Sequence, residues 1–381
     1  MIKLLPRYKL LLALFIILMI TSLWTYNIYL LVFYSIVTYI VLPYNKECDA
    51  SSLILFLFSI VYSIIVMLTN QVTSYFILLA YAISPVAFYR FGRWLMSAFK
   101  LTEERYAVLL CIVSCYLVPL FILTLKDISI VGLVNVNRSM GVDHNSNDAL
   151  SATYYGLVAS VGIGYCSSIF ARKLKTIPRV VSILVALLSI LVVVHLVNRT
   201  GLVVAVISLF ASLIFSYKFK MNKIIVPLLC LLVLCFTIVK LGLVSDDLIA
   251  AYQYREIDSS HSIQNAGGRL ELWKGALNNL LSYPLGWQRK GYAHNLWLDV
   301  AGVGGVIPLT LLLLSTCLWL KSLVNLFMKP YNSFNLVLFS INLAMLFSVM
   351  VEPVLDCSVL YFSMLVMIWG ITKSVVKEKT Y

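Results

Sequence analysis

Charged residues are scarce in this sequence. Only 12% of its 381 residues are charged, whereas 61% are hydrophobic and the mean hydropathy is +0.96. A soluble domain carries about 25% charged residues. The composition therefore excludes a soluble globular domain and predicts a chain built for contact with lipid.

Acidic residues are the scarcer of the two charge types. The chain has 16 Asp and Glu against 29 Lys and Arg, which gives a net charge of +13. A nucleic-acid-binding protein would carry such a charge as a basic patch on a water-facing surface. Here the cations lie between apolar runs, so they indicate membrane topology and no nucleic-acid partner.

Disulfide and metal-binding patterns are also missing. The eight cysteines show no paired spacing: Cys111 and Cys115 share a helical face, and the others are scattered along apolar segments. Cysteines placed in this way are usually small buried hydrophobic side chains. No Asp-x-Asp motif occurs in the segments expected outside the membrane. We therefore expect neither a metal nor a cofactor.

Long apolar runs dominate what is present. A helix needs about 20 apolar residues to cross the hydrocarbon core of a bilayer. The sequence predicts an all-α, polytopic integral membrane protein of about twelve transmembrane helices, with residues 1–381 forming a single transmembrane domain. The runs lie near 9–24, 27–43, 51–69, 73–89, 106–125, 149–170, 179–196, 200–217, 222–243, 294–320, 333–351 and 357–375.

Basic residues test this topology. Cytoplasmic loops of membrane proteins are enriched in Lys and Arg. If the N-terminus is cytoplasmic, most Lys and Arg fall in inside loops and most Asp and Glu fall outside. We therefore expect a multi-pass protein of the bacterial inner membrane, with both termini in the cytoplasm and the active face in the periplasm.

The expected large periplasmic loop spans residues 244–293. Within it, residues 269–281 place apolar side chains at helical spacing, which predicts an amphipathic helix on the membrane surface. Arg269 lies in the first turn of this helix. Backbone N–H groups and a guanidinium at one point favour the binding of an anion.

Arg199 lies almost inside the apolar 179–217 stretch, where a charge is costly unless it is paired or faces water. One interpretation is a short external hairpin from which Arg199 reaches the lipid headgroups. The other is an arginine that points into a polar cavity. The tight turn Asn198-Arg199-Thr200-Gly201, with few polar residues around it, favours the cavity.

His294 begins the tenth predicted span and is followed by Asn295 and Asp299. Gly305 gives room for another helix to approach, and Pro308 loosens the backbone one turn later. A lone histidine at a helix end is commonly structural. The polar neighbours and the arginines nearby in sequence make a functional role an equal alternative.

Four segments resemble the bacterial O-antigen polymerase and O-antigen ligase superfamily. The last is similar to the family's His-Asn-x(9)-Gly-x-x-Gly motif, with Gly305 at the first glycine and Pro308 in place of the second. The likeness covers roughly residues 137–308, and the order of the segments and their shared external placement make it specific. The segments are NRSMGVDHNSNDALSATYYGL (137–157), VNRTGLVVAVISL (197–209), GGRLELWKGALNNLLSYPLGW (267–287) and AHNLWLDVAGVGGVIP (293–308).

This resemblance implies metal-independent glycosyl transfer at the periplasmic face. The glycan would pass from undecaprenyl pyrophosphate to a sugar hydroxyl of another lipid-linked repeat. Arg199 and Arg269 would hold the pyrophosphate, because a guanidinium binds phosphate oxygens bidentately, and His294 would take or orient the hydroxyl proton. Membrane lipid and a chain-length regulator protein are the other expected partners. The candidate substrate-binding residues are Arg138, Arg289, Lys290, Asn295 and Asp299.

Two alternatives stay open. An O-antigen ligase moves the finished glycan onto lipid A core with the same residue types, although the run HNLWLD and Pro308 favour the polymerase by resemblance. A flippase for lipid-linked oligosaccharides belongs to a different class and should carry charged residues near the middle of many spans. Most spans here are apolar inside and the polar groups gather at one face, which favours a one-sided enzyme.

Overall fold

The protein is all-α over the residues that the structure describes. This computed structural model describes residues 6–23, 27–42, 49–69, 74–141, 149–172, 174–218, 225, 246–257, 268–287, 293–355 and 357–378. They form fourteen α-helices, one 3-10 helix and one two-stranded hairpin.

Five helices precede the hairpin. They are α1 (Pro6–Ile20), α2 (Asn27–Val41), α3 (Ala50–Leu68), α4 (Tyr75–Ala98) and α5 (Thr102–Val131). The hairpin pairs β1 (Ser139–Gly141) antiparallel with β2 (Ala149–Ser151). Its second strand occupies the first three residues of the predicted span at 149–170, which the sequence expected to be helical.

Nine helices follow the hairpin. They are α6 (Ala152–Ile163), α7 (Thr176–His195), α8 (Arg199–Tyr217), α9 (Asp246–Ile257), α10 (Arg269–Ser282), α11 (Leu296–Gly304), α12 (Val306–Met328), α13 (Ser333–Val351) and α14 (Val359–Lys377). The 3-10 helix, Gly164–Phe170, continues directly from α6.

Eight of these helices are long and apolar enough to cross a membrane: α3, α4, α5, α7, α8, α12, α13 and α14. The chain is therefore a multi-pass, all-α membrane protein, as its composition predicts. The predicted spans at 9–24 and 27–43 correspond to the 15-residue helices α1 and α2. The predicted span at 149–170 divides into α6 and the 3-10 helix. The predicted span at 222–243 lies outside the described residues, except for residue 225.

The expected continuous helix over 294–320 is wrong, because the chain breaks between α11 and α12. Gly305 has a φ of +72°, which a glycine adopts without steric cost. A Cβ at Gly305 would overlap the carbonyl oxygen of Pro284, and that oxygen accepts a hydrogen bond from the Val306 N–H at 2.8 Å. Pro308 lies in the first turn of α12, where a helix does not need its N–H.

Helices α4 and α14 pack with their backbones in close contact. A Cβ at Gly92 of α4 would overlap the carbonyl oxygen of Met367, and one at Gly370 of α14 would overlap that of Tyr89. Glycines at such positions let two membrane helices approach closely. This contact lies within the first of two compact units. The first unit holds Met1–Pro119, Leu272–Lys329 and Val349–Tyr381, and the second holds Leu120–Glu271 and Pro330–Ser348.

Candidate functional site

His294 lies in the turn that precedes α11, in the first unit. Its φ is +53°, a left-handed conformation that costs a non-glycine residue about 1–2 kcal/mol. Asp299 holds this conformation from within α11. One carboxylate oxygen accepts the Ala293 N–H at 2.7 Å, and the other accepts the Asn295 N–H at 3.1 Å. The carboxylate therefore bonds to the residues on both sides of His294.

Asn295 fastens the same turn to two helices. Its Oδ1 caps α11 by accepting the N–H groups of Trp297 and Leu298, both at 3.1 Å. Its Nδ2 donates to the carbonyl oxygen of Met350 at 2.8 Å, near the end of α13. Met350 precedes Glu352 by two residues. Asn295 thus fixes where the His294 turn stands relative to Glu352.

Glu352 faces His294. The Nδ1 atom of His294 lies 3.6 Å from the Oε2 atom of Glu352, with 32% of the histidine side chain and 4% of the glutamate side chain exposed. A buried carboxylate is costly unless it is paired or hydrogen bonded. The pair therefore places a buried acid behind a histidine whose side chain is partly exposed, which is an arrangement suited to proton transfer.

Sequence reasoning missed Glu352. The only charged residues between Lys329 and Lys373 are Glu352 and Asp356. An acid at the edge of an apolar span is a functional candidate, and that rule would have selected Glu352 and Asp356 together without distinguishing them.

The amphipathic helix forms where the sequence predicts it. Helix α10 begins at Arg269 and its apolar side chains Leu270, Leu277 and Leu281 are 50%, 53% and 85% exposed. Its Trp273 donates a hydrogen bond from Nε1 to the carbonyl oxygen of Ala293 at 2.8 Å. This bond joins α10 to the residue before His294. Arg269 itself is half-buried and belongs to the second unit.

Arg199 is the first residue of α8, in the second unit. Asn198 caps this helix by accepting the Gly201 N–H at 3.1 Å. The half-buried Arg199 side chain donates from Nη2 to the carbonyl oxygen of Tyr252 in α9 at 2.8 Å. The guanidinium is therefore directed at a polar group of the protein.

Arg138 contacts the same turn. It has a φ of +56°, and its Nε donates to the carbonyl oxygen of Leu196 at 3.3 Å, three residues before Arg199. Two predicted cations of the second unit thus lie at one turn. Arg289 and Lys290 lie outside the described residues.

The polar atoms of Asn295 and Asp299 bond to backbone groups around His294, so these two residues hold the turn in which His294 lies. Substrate contact by these two residues stays a prediction.

Among the described ranges, no three His, Cys, Asp or Glu side chains are grouped so that they could hold a metal ion.

The fold and this site define a class: a multi-pass, all-α membrane protein with a histidine–carboxylate pair where one helix begins and another ends. No protein-family model matches the sequence, and no similar protein is found among the curated ones. A functional assignment therefore rests on the geometry of the site and on the four segments described above.

Proposed function

We propose that this protein is a glycosyltransferase of the O-antigen polymerase type. It moves a glycan from undecaprenyl pyrophosphate to a sugar hydroxyl of a second lipid-linked repeat. The observation that supports this most is the pair of half-exposed His294 and buried Glu352, because glycosyl transfer to a hydroxyl needs a base at the acceptor oxygen.

The proposed reaction is a single displacement at the sugar. The acceptor oxygen forms a bond to C1 of the donor sugar while the bond from C1 to the phosphate oxygen breaks. The electron pair leaves with the lipid pyrophosphate, and the hydroxyl proton passes to His294. Since Nδ1 faces Glu352, Nε2 is the ring nitrogen that takes this proton. Glu352 then stabilises the imidazolium, which later releases the proton to water.

Arg199 and Arg269 are the proposed contacts of the pyrophosphate. A guanidinium keeps its charge and offers a planar pair of donors to two phosphate oxygens. Arg138, Arg289 and Lys290 are proposed to contact sugar or phosphate. Asn295 and Asp299 act through His294, because their bonds hold its turn.

The proposed topology has twelve spans and an external face in the periplasm. A reporter fused after Ser260 should therefore report the periplasm, and one fused after Lys175 should report the cytoplasm. A cytoplasmic signal from the fusion at Ser260 would overturn both the span count and the external position of the 244–293 loop.

The function is tested by the lipopolysaccharide of a deletion strain. Loss of a polymerase leaves single repeats attached to the core, whereas loss of a ligase leaves no attached glycan. An unchanged ladder would contradict both. The wild-type gene should restore the ladder and the His294→Ala variant should not. The matched control is His261→Ala, which removes a histidine from the predicted loop 244–293 that precedes His294 and should restore the ladder fully.

A further inference from the structure

A second histidine–carboxylate pair lies in the second unit. His195 ends α7 and its side chain has no exposed surface. Its Nε2 lies 2.8 Å from Oδ2 of Asp127, and its Nδ1 lies 2.9 Å from the carbonyl oxygen of Leu133. Both ring nitrogens are therefore occupied by protein oxygens.

These contacts determine where the hydrogens lie. A carbonyl oxygen only accepts, so the Nδ1 atom of His195 carries a hydrogen. The Nε2 atom of His195 lies at hydrogen-bond distance from the carboxylate of Asp127. The pair is a hydrogen-bonded contact that joins the end of α5 to the end of α7.

Asn135 extends this contact to the hairpin. Its Nδ2 donates to Oδ2 of Asp127 at 2.7 Å and to the carbonyl oxygen of Ser139 at 2.9 Å. Its backbone N–H donates to the carbonyl oxygen of His195 at 2.8 Å. Asp127, Asn135 and His195 thus hold the segment leading into β1 against the end of α7.

The turn after His195 needs such support. Val197 has a φ of +49°, which is strained for a β-branched residue. Strained residues persist where their surroundings determine the backbone. Here Asn198 donates from its N–H to the carbonyl oxygen of Val193 at 2.9 Å and from Nδ2 to that of Ala152 at 2.8 Å. Arg199 follows this turn directly.

We propose that Asp127 and His195 are positioning residues for Arg138 and Arg199. The inference rests on the proposed function, in which Arg199 contacts the pyrophosphate. The Asp127–His195 contact holds the two backbone segments from which these arginines extend: Arg138 follows Asn135, and Arg199 follows the strained turn. Neither Asp127 nor His195 needs to contact the substrate for this role.

Removal of the Asp127 charge should change the affinity for an anion in opposite directions, depending on whether Asp127 acts through its charge or by positioning the arginines. A carboxylate near an anion site repels the anion, so neutralising it should strengthen binding if charge alone acts. If Asp127 positions the arginines, its neutralisation should weaken binding. The two roles therefore predict opposite changes in affinity, and a binding measurement distinguishes them.

The test uses the purified full chain in nanodiscs of neutral lipid and undecaprenyl pyrophosphate as the probe. We expect Asp127→Asn and Asp127→Ala to weaken binding about tenfold. Asp247→Asn removes one charge from an exposed position of α9 in the same unit and should leave binding equal or slightly tighter. Tighter or unchanged binding by both Asp127 variants would overturn the positioning role.

Conservative variants separate positioning from misfolding. His195→Gln can still donate to Asp127, so it should retain more affinity than His195→Ala at equal folded fraction, which is measured by thermal unfolding. Equal affinity in these two variants would also contradict the inference.

Arg199→Ala distinguishes the two proposals. If it binds the probe as well as the wild type does, or if the wild type does not bind, the pyrophosphate site fails and the positioning role fails with it. If Arg199→Ala loses binding while the Asp127 variants retain it, only the positioning role fails.

Discussion

Replacing Glu352 with Gln isolates the charge of the buried carboxylate from its shape. Gln has nearly the same volume, so the packing at the end of α13 is preserved. Under the proposed mechanism His294 gains a positive charge when it takes the acceptor proton. Glu352 stabilises that charge, and Gln does not. The variant should therefore lower kcat more than it changes the Michaelis constant of either substrate.

The size of the effect follows from the distance. Two unit charges 3.6 Å apart attract by about 4–5 kcal/mol at an effective dielectric constant of about 20. The His294 side chain is 32% exposed, so solvent screens part of this attraction, and about 2 kcal/mol is a reasonable remainder. That remainder corresponds to roughly a 30-fold loss of kcat.

The assay measures polymer formed per folded molecule by purified protein. Glu271→Gln is the matched control, because it neutralises an exposed carboxylate on α10, and it should leave kcat unchanged. A double-mutant cycle sharpens the result: in a His294→Ala background, Glu352→Gln should cost little more. A full kcat in folded Glu352→Gln, or equal losses in both backgrounds, would refute the proposed catalytic pairing of Glu352 with His294.

Three further results are expected. His294→Ala and His294→Gly should both lose about 10²–10⁴-fold in turnover. The Gly variant should be more stable than the Ala variant by about 1 kcal/mol in thermal unfolding, because glycine adopts a φ of +53° without strain. Equal stability of the two variants would contradict the strain at His294. Arg199→Lys and Arg269→Ala should both stay defective in polymer formation at matched expression, because neither leaves a planar pair of donors at its position, and normal polymer would contradict the pyrophosphate contacts. Asp299→Asn should lower the free energy of unfolding by about 1–3 kcal/mol, because an amide nitrogen replaces one of two acceptors; unchanged unfolding and turnover would show that the carboxylate does not hold the turn.

Local composition predicts most helices of this protein, because an apolar run of bilayer length has few other stable conformations. The break at Gly305 was not predictable in this way. It depends on the Pro284 carbonyl, which lies 21 positions away in sequence and bonds to Val306. The hairpin also escaped prediction, since its two strands have three residues each and give no clear alternation of apolar and polar side chains.

Some residues of the candidate site can be identified from the local sequence, and others only from contacts between distant segments. Arg269 and His294 stand at chain positions where a local pattern changes from polar to apolar, so the sequence selects them. The sequence offers Glu352 and Asp356 alike, and the position of Glu352 opposite His294 depends on the bond from Asn295 to Met350, which brings the end of α13 to the turn. His195 ends an apolar helix and has no local feature that distinguishes it from the span. The periodicity of a sequence does not show which distant segments contact each other, so these pairs could not be predicted from it.

Two described histidines face carboxylates, and their surroundings give them different capacities. His195 has no exposed side-chain surface, and both of its ring nitrogens bond to protein oxygens. A substrate hydroxyl could reach it only by breaking one of those bonds. His294 directs one ring nitrogen at Glu352 and keeps 32% of its side chain exposed. A base must meet its substrate, so of these two pairs the one with His294 fits the proposed proton transfer, and the one with His195 fits the proposed positioning of the backbone.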